Sequence, residues 1–145
     1  MIEAGVVIDK KCEPLFWHLP PGRTAGSIPD TRQLWDVIWG NRDIVKGFAH
    51  SHPGSGPPAP SETDLGTFVA IEAALGRSLT WWITSSDRFL ELQRIEKPYP
   101  PWGVHSYTTR SGVQHHYLGV VVMPEMHWAQ ELRTHSEAQT LTIDS

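Results

Sequence analysis

The sequence predicts an α/β domain of the α+β type, in which a mixed β-sheet is flanked by helices. Two observations carry this prediction. The 145 residues include 39% apolar and 19% charged residues, which suits a single core. Short strand-like runs alternate with helical patterns early in the chain and follow one another directly later. We therefore treat residues 1–145 as one domain.

The first half of the chain is predicted to hold two strands and two helices. The expected elements are strands at 5–8 and 44–50, helices at 31–39 and 62–75, and a loop at 18–29. Leu34, Val37 and Ile38 have the i, i+3, i+4 spacing of a buried helical stripe. Ser61 precedes the second helix at capping-box spacing, with Asp64 in place of the usual glutamate or glutamine.

The second half is predicted to be richer in strands. The expected elements are strands at 79–84, 89–95 and 116–123, an irregular Pro/Gly-rich segment at 97–112, and a final helix from Pro124 to about His135. Trp81 and Trp82 point to opposite faces of the first of these strands. At least one of the two should belong to the core, and the other is a candidate for a substrate groove.

Composition excludes several classes of protein. The formal charge of −4 favours neither nucleic acid nor an anionic membrane as a partner. The single cysteine, Cys12, cannot form an internal disulfide or a Cys-rich zinc site. The chain has no apolar run of about 20 residues, and its first residues do not have a signal-peptide pattern. Cytoplasm is therefore the expected compartment. The sequence does not indicate an oligomeric state.

The most informative segment contains His50, His52 and Asp64. On a strand, residues i and i+2 point to the same side, so the two imidazoles can face one point. Asp64 enters from the first turn of the following helix. Two histidines and one carboxylate form a ligand set of catalytic zinc and leave a fourth position for water. Zinc in such a site lowers the pKa of its water toward about 7.

The same segment resembles the signature of a known family. Residues 50–53 read His-Ser-His-Pro, and after a short loop residues 60–64 read Pro-Ser-Glu-Thr-Asp. This pattern is similar to that of the JAMM (MPN-plus) zinc metalloproteases, particularly the compact prokaryotic JAB-type members. The resemblance covers about residues 2–95 and implies that family's cytidine-deaminase-like core. The 53–60 loop is one residue longer than is usual there, a difference that its glycines and prolines can absorb.

The resemblance also implies roles for individual residues. It implies one Zn²⁺ per chain, held by His50, His52 and Asp64. It implies Glu3, just ahead of the first strand, as the general acid/base. It implies Ser61 as the residue that steadies the oxyanion.

Alternatives for two of these roles stay open at the level of sequence. Glu13 and Asp43 compete with Glu3 as the base. Ser61 could be only a helix N-cap, because capping alone explains a serine at that position.

The expected function is a zinc-dependent peptidase or isopeptidase that hydrolyses an amide bond after the C-terminal tail of a ubiquitin-like (β-grasp) protein. Alternatives are a processing hydrolase for a sulfur-carrier protein tail, a cell-wall or phage-associated peptidase, and a non-catalytic MPN-type scaffold or interaction subunit. The substrate tail, ending in Gly-Gly, is expected to add as a strand at the sheet edge beside the metal. Residues 53–60 and 97–112 are the expected walls of its channel.

Overall fold

The computed structural model describes residues 1–99 and 101–137. Within these residues the chain forms seven strands and three helices. In chain order they are β1 (Gly5–Asp9), β2 (Pro14–His18), α1 (Arg32–Gly40), β3 (Val45–Ser51), α2 (Glu62–Leu75), β4 (Thr80–Thr84), β5 (Phe89–Ile95), β6 (Val104–Thr108), β7 (Gln114–Val121) and α3 (Trp128–Glu137). None of the helices in these ranges is long and apolar enough to cross a membrane.

The strands form one mixed sheet in the order β2-β1-β3-β4-β5-β7-β6. β3 and β4 are parallel, and the other neighbouring pairs are antiparallel. The helix α2 connects the parallel pair, as a parallel pair requires a crossover. The predicted mixed sheet flanked by helices is therefore confirmed. Because β3 has a neighbour on each side, it is an interior strand, and β2 and β6 are the edges.

Helices cover both faces of the sheet. On one face, Leu34 of α1 packs in a cluster with β1 and β3, and Phe68 of α2 stacks on Trp81. On the other face, Trp128 of α3 packs edge-on against Trp82. Successive side chains of β4 thus reach opposite faces of the sheet. Both Trp81 and Trp82 are buried, which confirms that at least one of them belongs to the core.

The strand β2 is not predicted by the sequence pattern. It pairs with β1 across a turn that contains no glycine. In this turn the Asp9 carboxylate accepts hydrogen bonds from the backbone N–H groups of Lys11 (2.8 Å) and Glu13 (3.0 Å), and Cys12 has a left-handed φ of 63°. Short hairpins are usually recognised by Asn-Gly or Asp-Gly pairs. A turn stabilised by an aspartate side chain gives no such signal.

The later elements correct three predictions. The segment 97–112 was expected to be irregular, but it contains β6, which pairs with β7 in an antiparallel hairpin. Prolines just ahead of this strand hid its alternating pattern. The strand β7 begins at Gln114 rather than at His116. The helix α3 begins at Trp128 rather than at Pro124, because residues 124–127 lead into it without forming helix.

Candidate metal centre

His50 and His52 lie at the carboxyl end of β3 and point to the same side of the sheet. The strand end is fixed on both flanks, because the Ser51 N–H donates to the Ala4 carbonyl (2.9 Å) and the His52 N–H donates to the Thr84 carbonyl (2.8 Å). The two Nε2 atoms are 3.0 Å apart. His50 is only 4% exposed. The predicted convergence of the two imidazoles is therefore found.

Asp64 reaches the two histidines from the first turn of α2. Its Oδ1 lies 3.2 Å from His50 Nε2, and its Oδ2 lies 3.1 Å from His52 Nε2. Ser61 begins the helix with the predicted capping box. The Asp64 N–H donates to Ser61 Oγ (3.0 Å), and the Ser61 N–H donates to Asp64 Oδ2 (2.9 Å). The capping interaction fixes the carboxylate beside the imidazoles, and the Ser61 hydroxyl keeps its own proton to donate.

Glu3 is the second carboxylate at this end of the sheet. It is 6% exposed, and its backbone is held by hydrogen bonds from its N–H to the Thr24 carbonyl (2.8 Å) and from Arg23 Nη1 to its carbonyl (3.3 Å). Glu3, His50 and His52 each offer a ligand atom, and all three atoms lie within 4.8 Å of one another. The structure therefore brings together Glu3, His50, His52 and Asp64, and the fifth predicted site residue, Ser61, caps α2 beside them.

The two competing carboxylates lie elsewhere. Glu13 Oε2 is 3.0 Å from Nε2 of His127, and both side chains are exposed. Asp43 is exposed and precedes β3, whereas the histidines lie at the far end of that strand. Glu3 is thus the candidate that the fold places beside His50 and His52.

Burial and charge shift the titration of this cluster. Burial raises the pKa of the Glu3 carboxyl. Burial acts to lower the pKa of His50, but the hydrogen bond and the charge of Asp64 outweigh it, so this pKa is raised. Burial acts to raise the pKa of Asp64, but the hydrogen bonds from His50 and His52 outweigh it and hold this pKa well below its usual range. These shifts favour an ion pair between His50 and Asp64 and a Glu3 carboxyl that holds its proton to higher pH.

The spacing of the donor atoms fits a small tetrahedral cation. Zinc binds imidazole nitrogen and carboxylate oxygen at about 2.0–2.2 Å, which separates two ligands of a tetrahedron by about 3.3 Å. The three contacts among His50, His52 and Asp64 are 3.0, 3.2 and 3.1 Å. Asp64 faces His50 through Oδ1 and His52 through Oδ2, so these contacts bring four atoms together. Glu3 also offers an oxygen within 4.8 Å of a ring nitrogen of each histidine, so the fold presents two carboxylates as candidates for the third ligand.

A cleft of about 320 Å³ opens beside these residues. Glu3, His50 and Asp64 line one end of it. The remaining walls come from α1, α2, the loop before α1 and the inner face of the sheet. His18 at the end of β2 is one of these lining residues. Its Nε2 is 2.8 Å from the Pro29 carbonyl, and burial lowers its pKa. No local sequence signal indicated His18, because its strand was not predicted.

One prediction about the surroundings of the site is wrong, because β3 is an interior strand and offers no free sheet edge beside the histidines for an added strand. The 53–60 and 97–112 segments, predicted as channel walls, do not line this cleft. Pro53 and Gly54 instead line a small pocket on the His52 side. The 53–60 segment packs against the β4–β5 turn, where the Gly56 N–H donates to Asp87 Oδ1 (2.8 Å). The 97–112 segment contributes β6 at the opposite edge of the sheet.

The fold and the site define a class of protein. It is a mixed α+β domain with a candidate metal centre of two histidines and a carboxylate at the end of an interior strand. Comparison with protein-family models, with curated proteins and with solved structures finds no match to this chain. The resemblance to the JAMM family therefore stays a prediction from the motif.

Proposed function

We propose that this protein is a zinc-dependent peptidase or isopeptidase that hydrolyses an amide bond. One observation carries the proposal. The side chains of His50, His52 and Asp64 converge with contacts of 3.0–3.2 Å between their donor atoms, and a second carboxylate, that of the buried Glu3, lies beside them at the end of a cleft. Such an arrangement supplies both a Lewis-acid position and a separate base.

His50, His52 and Asp64 are the residues that would hold the ion. When bound, zinc supplies a positive charge that polarises a carbonyl and lowers the pKa of water. The side chains supply the remaining tasks. Glu3 accepts a proton from the attacking water and passes it to the leaving amine, a task favoured by its raised pKa. The Ser61 hydroxyl donates a hydrogen bond to the carbonyl oxygen as negative charge develops on it.

The substrate that the resemblance implies is the C-terminal tail of a ubiquitin-like or sulfur-carrier protein of the β-grasp type. The cleft supports a flexible segment as substrate, since a segment of a few residues fits its size. The convergence of four chemically competent side chains speaks against a purely scaffolding role. We place this activity in the cytoplasm, a proposal supported by the single cysteine.

The test offers zinc-loaded protein a set of β-grasp proteins with C-terminal extensions and a matched unrelated peptide, with products identified by mass spectrometry. We expect hydrolysis that stops on chelation and returns with zinc. The matched control is Glu13→Gln, which removes an exposed carboxylate outside the cluster and should leave the rate unchanged. Absence of hydrolysis of every substrate by zinc-loaded protein would contradict the proposal.

A further inference from the structure

The part of the cleft beyond the metal cluster is an apolar chamber. We define the chamber by its walls from α1 and α2 and by its floor from the sheet. These residues are Leu34, Ile38, Phe48, Phe68, Ile71 and Trp81. The chamber is continuous with the end of the cleft that Glu3, His50 and Asp64 line, so a group bound in it lies next to the reacting bond.

The floor of the chamber is held in place before any ligand arrives. The Trp81 Nε1–H donates to Glu72 Oε2 (3.1 Å), and the Phe68 ring stacks on Trp81 at 4.2 Å between centroids. The Phe48 ring lies across β1, where a Cβ on Gly5 would come within 2.4 Å of the far end of the ring. A side chain at position 5 would therefore displace this ring from its place in the chamber. Preformed walls lower the ordering cost of binding.

Acidic side chains outnumber basic ones along the cleft. Among the described residues, Glu3, Asp30 and Asp64 line it together with two histidines, His18 and His50, and the lining includes no lysine or arginine. Away from the metal cluster, a ligand carboxylate would therefore meet no lysine or arginine. In the chamber, a neutral apolar group within a chain is favoured over a chain end that carries a carboxylate.

The volume sets the size of the ligand. A cavity of about 150 Å³ lined by apolar side chains accommodates benzene. The cleft of about 320 Å³ therefore has room for one aromatic or branched aliphatic side chain together with the backbone on either side of it. A glycine at the same place would leave the apolar walls uncovered.

We propose that the chamber is a specificity pocket for a bulky apolar side chain adjacent to the scissile amide. The inference rests on the proposed hydrolase function, and for the residue beside the cleaved bond it departs from the Gly-Gly tail that the family resemblance implies. The substrate class is an extended segment with phenylalanine, leucine or a similar residue next to the cleaved bond. A segment that ends in two glycines is the poorer substrate.

The experiment uses peptides capped at both ends, acetyl-Ala-Ala-Xaa-Ala-Ala-amide, with Xaa as Phe, Leu or Gly. Burial of a large apolar side chain predicts that kcat/KM for Phe and Leu exceeds that for Gly by about 10- to 100-fold. Thr67 is a half-buried residue of α2 that lines the cleft. Thr67→Trp should fill the chamber and reduce the Phe/Gly ratio toward one, and the smaller Thr67→Leu should reduce it less.

Ala73→Trp is the matched control, because it adds the same side chain on the exposed side of α2, outside the cleft. It should keep the wild-type ratio. Thermal unfolding of each variant establishes that it is folded, and Thr67→Leu replaces Thr67→Trp if the latter is not. A Phe/Gly ratio near one in the wild type, or a ratio that neither Thr67 variant changes, would overturn the pocket.

Equilibrium binding separates failure of the pocket from failure of the hydrolase. Titration calorimetry on zinc-loaded Glu3→Gln should give at least about tenfold tighter binding of the Phe peptide than of the Gly peptide. If no peptide is hydrolysed but this preference is found, the proposed function fails and the pocket stands. Equal binding of the two peptides contradicts the proposed specificity pocket, whatever the rates of hydrolysis are.

Discussion

Two buried glutamates, Glu72 and Glu3, differ in the hydrogen bonds that their carboxylates accept. Glu72 in α2 is 2% exposed, and its carboxylate accepts hydrogen bonds from the Leu79 N–H (2.8 Å), Trp81 Nε1 (3.1 Å) and the Tyr117 hydroxyl (2.6 Å). Glu3 is 6% exposed, and no residue in 1–99 or 101–137 donates a hydrogen bond to its carboxylate. Both side chains are largely buried, but only the Glu72 carboxylate has hydrogen-bond donors from the described residues, whereas Glu3 lines the cleft.

This difference distinguishes a glutamate that stabilises the fold, Glu72, from one that is available for chemistry, Glu3. A buried charge that has three donors is part of the packing, and it ties α2 to β4 and β7. A buried carboxylate without donors is costly unless something else compensates it, and such groups concentrate at functional sites. Glu3 has two imidazoles and a cleft beside it, so the compensation we propose comes from the bound ion and the substrate.

Removing a ligand should have the largest effect. Asp64→Ala is expected to abolish zinc binding and turnover, because it removes one of three converging donors and leaves two imidazoles to hold the ion. The loss should exceed the about 10- to 100-fold cost of removing an outer partner of a ligand. Metal analysis of the purified variant measures this. Retention of about one zinc by Asp64→Ala, with loss in Glu3→Ala, would exchange the roles of the two carboxylates.

Glu3→Gln should come next. We expect kcat to fall by about 10²- to 10⁴-fold while zinc content stays at about one per chain, because the amide cannot accept the proton and is not a ligand. Single-turnover rates and metal analysis of the same preparation test this together. A near-normal rate would mean that Glu3 is not the base. The difference in hydrogen bonding between Glu3 and Glu72 would then not indicate a catalytic role for Glu3.

Glu72→Leu should affect stability rather than chemistry. Leaving the Tyr117 hydroxyl, the Trp81 Nε1–H and the Leu79 N–H without their acceptor should lower the free energy of unfolding by about 3–5 kcal/mol. Zinc content at low temperature should be unchanged. Urea unfolding of metal-free protein measures the free energy of unfolding, and metal analysis measures the zinc content. A stable Glu72→Leu variant that had lost its zinc would contradict the purely structural role of Glu72.

The smallest effect concerns pH. Burial raises the folded-state pKa of Glu3 above its unfolded value, so the group carries no penalty below its unfolded pKa and destabilises the fold as pH rises through the folded pKa. In metal-free protein, Glu3→Gln should therefore raise Tm near pH 7, by no more than about 5 °C, and leave it unchanged near pH 4. Thermal unfolding in a chelator measures both. A lower Tm of the variant at neutral pH would show that the Glu3 charge is stabilised by its neighbours.

The site was more predictable than its surroundings. The spacing of His50 and His52 follows from the period of a strand, and Asp64 follows from a helix start marked by Ser61. These are local patterns, so the sequence reveals them. The selection of Glu3 came from the family resemblance, and its burial depends on contacts with Thr24 and Arg23 that no local pattern contains.

The walls of the cleft could not be predicted either, because they also depend on contacts between distant parts of the chain. They come from α1, α2 and the loop before α1, which meet only because β2 and β1 turn back beside β3. Glu72 is a comparable case. It stands among alanines and isoleucine in α2, and the partners that satisfy it come from three other points in the chain, with Tyr117 the most distant.

The capping box of α2 has a kinetic consequence. Asp64 Oδ2 accepts a hydrogen bond from the Ser61 N–H and also faces His52 Nε2. The same oxygen therefore caps the helix and belongs to the candidate ligand set. Unwinding of the first turn of α2 would withdraw one donor from the candidate ligand set. Variants that destabilise this turn should therefore lose metal to a chelator faster than the wild type. Protection of the Asp64 and Leu65 amides from hydrogen exchange should rise when zinc is added.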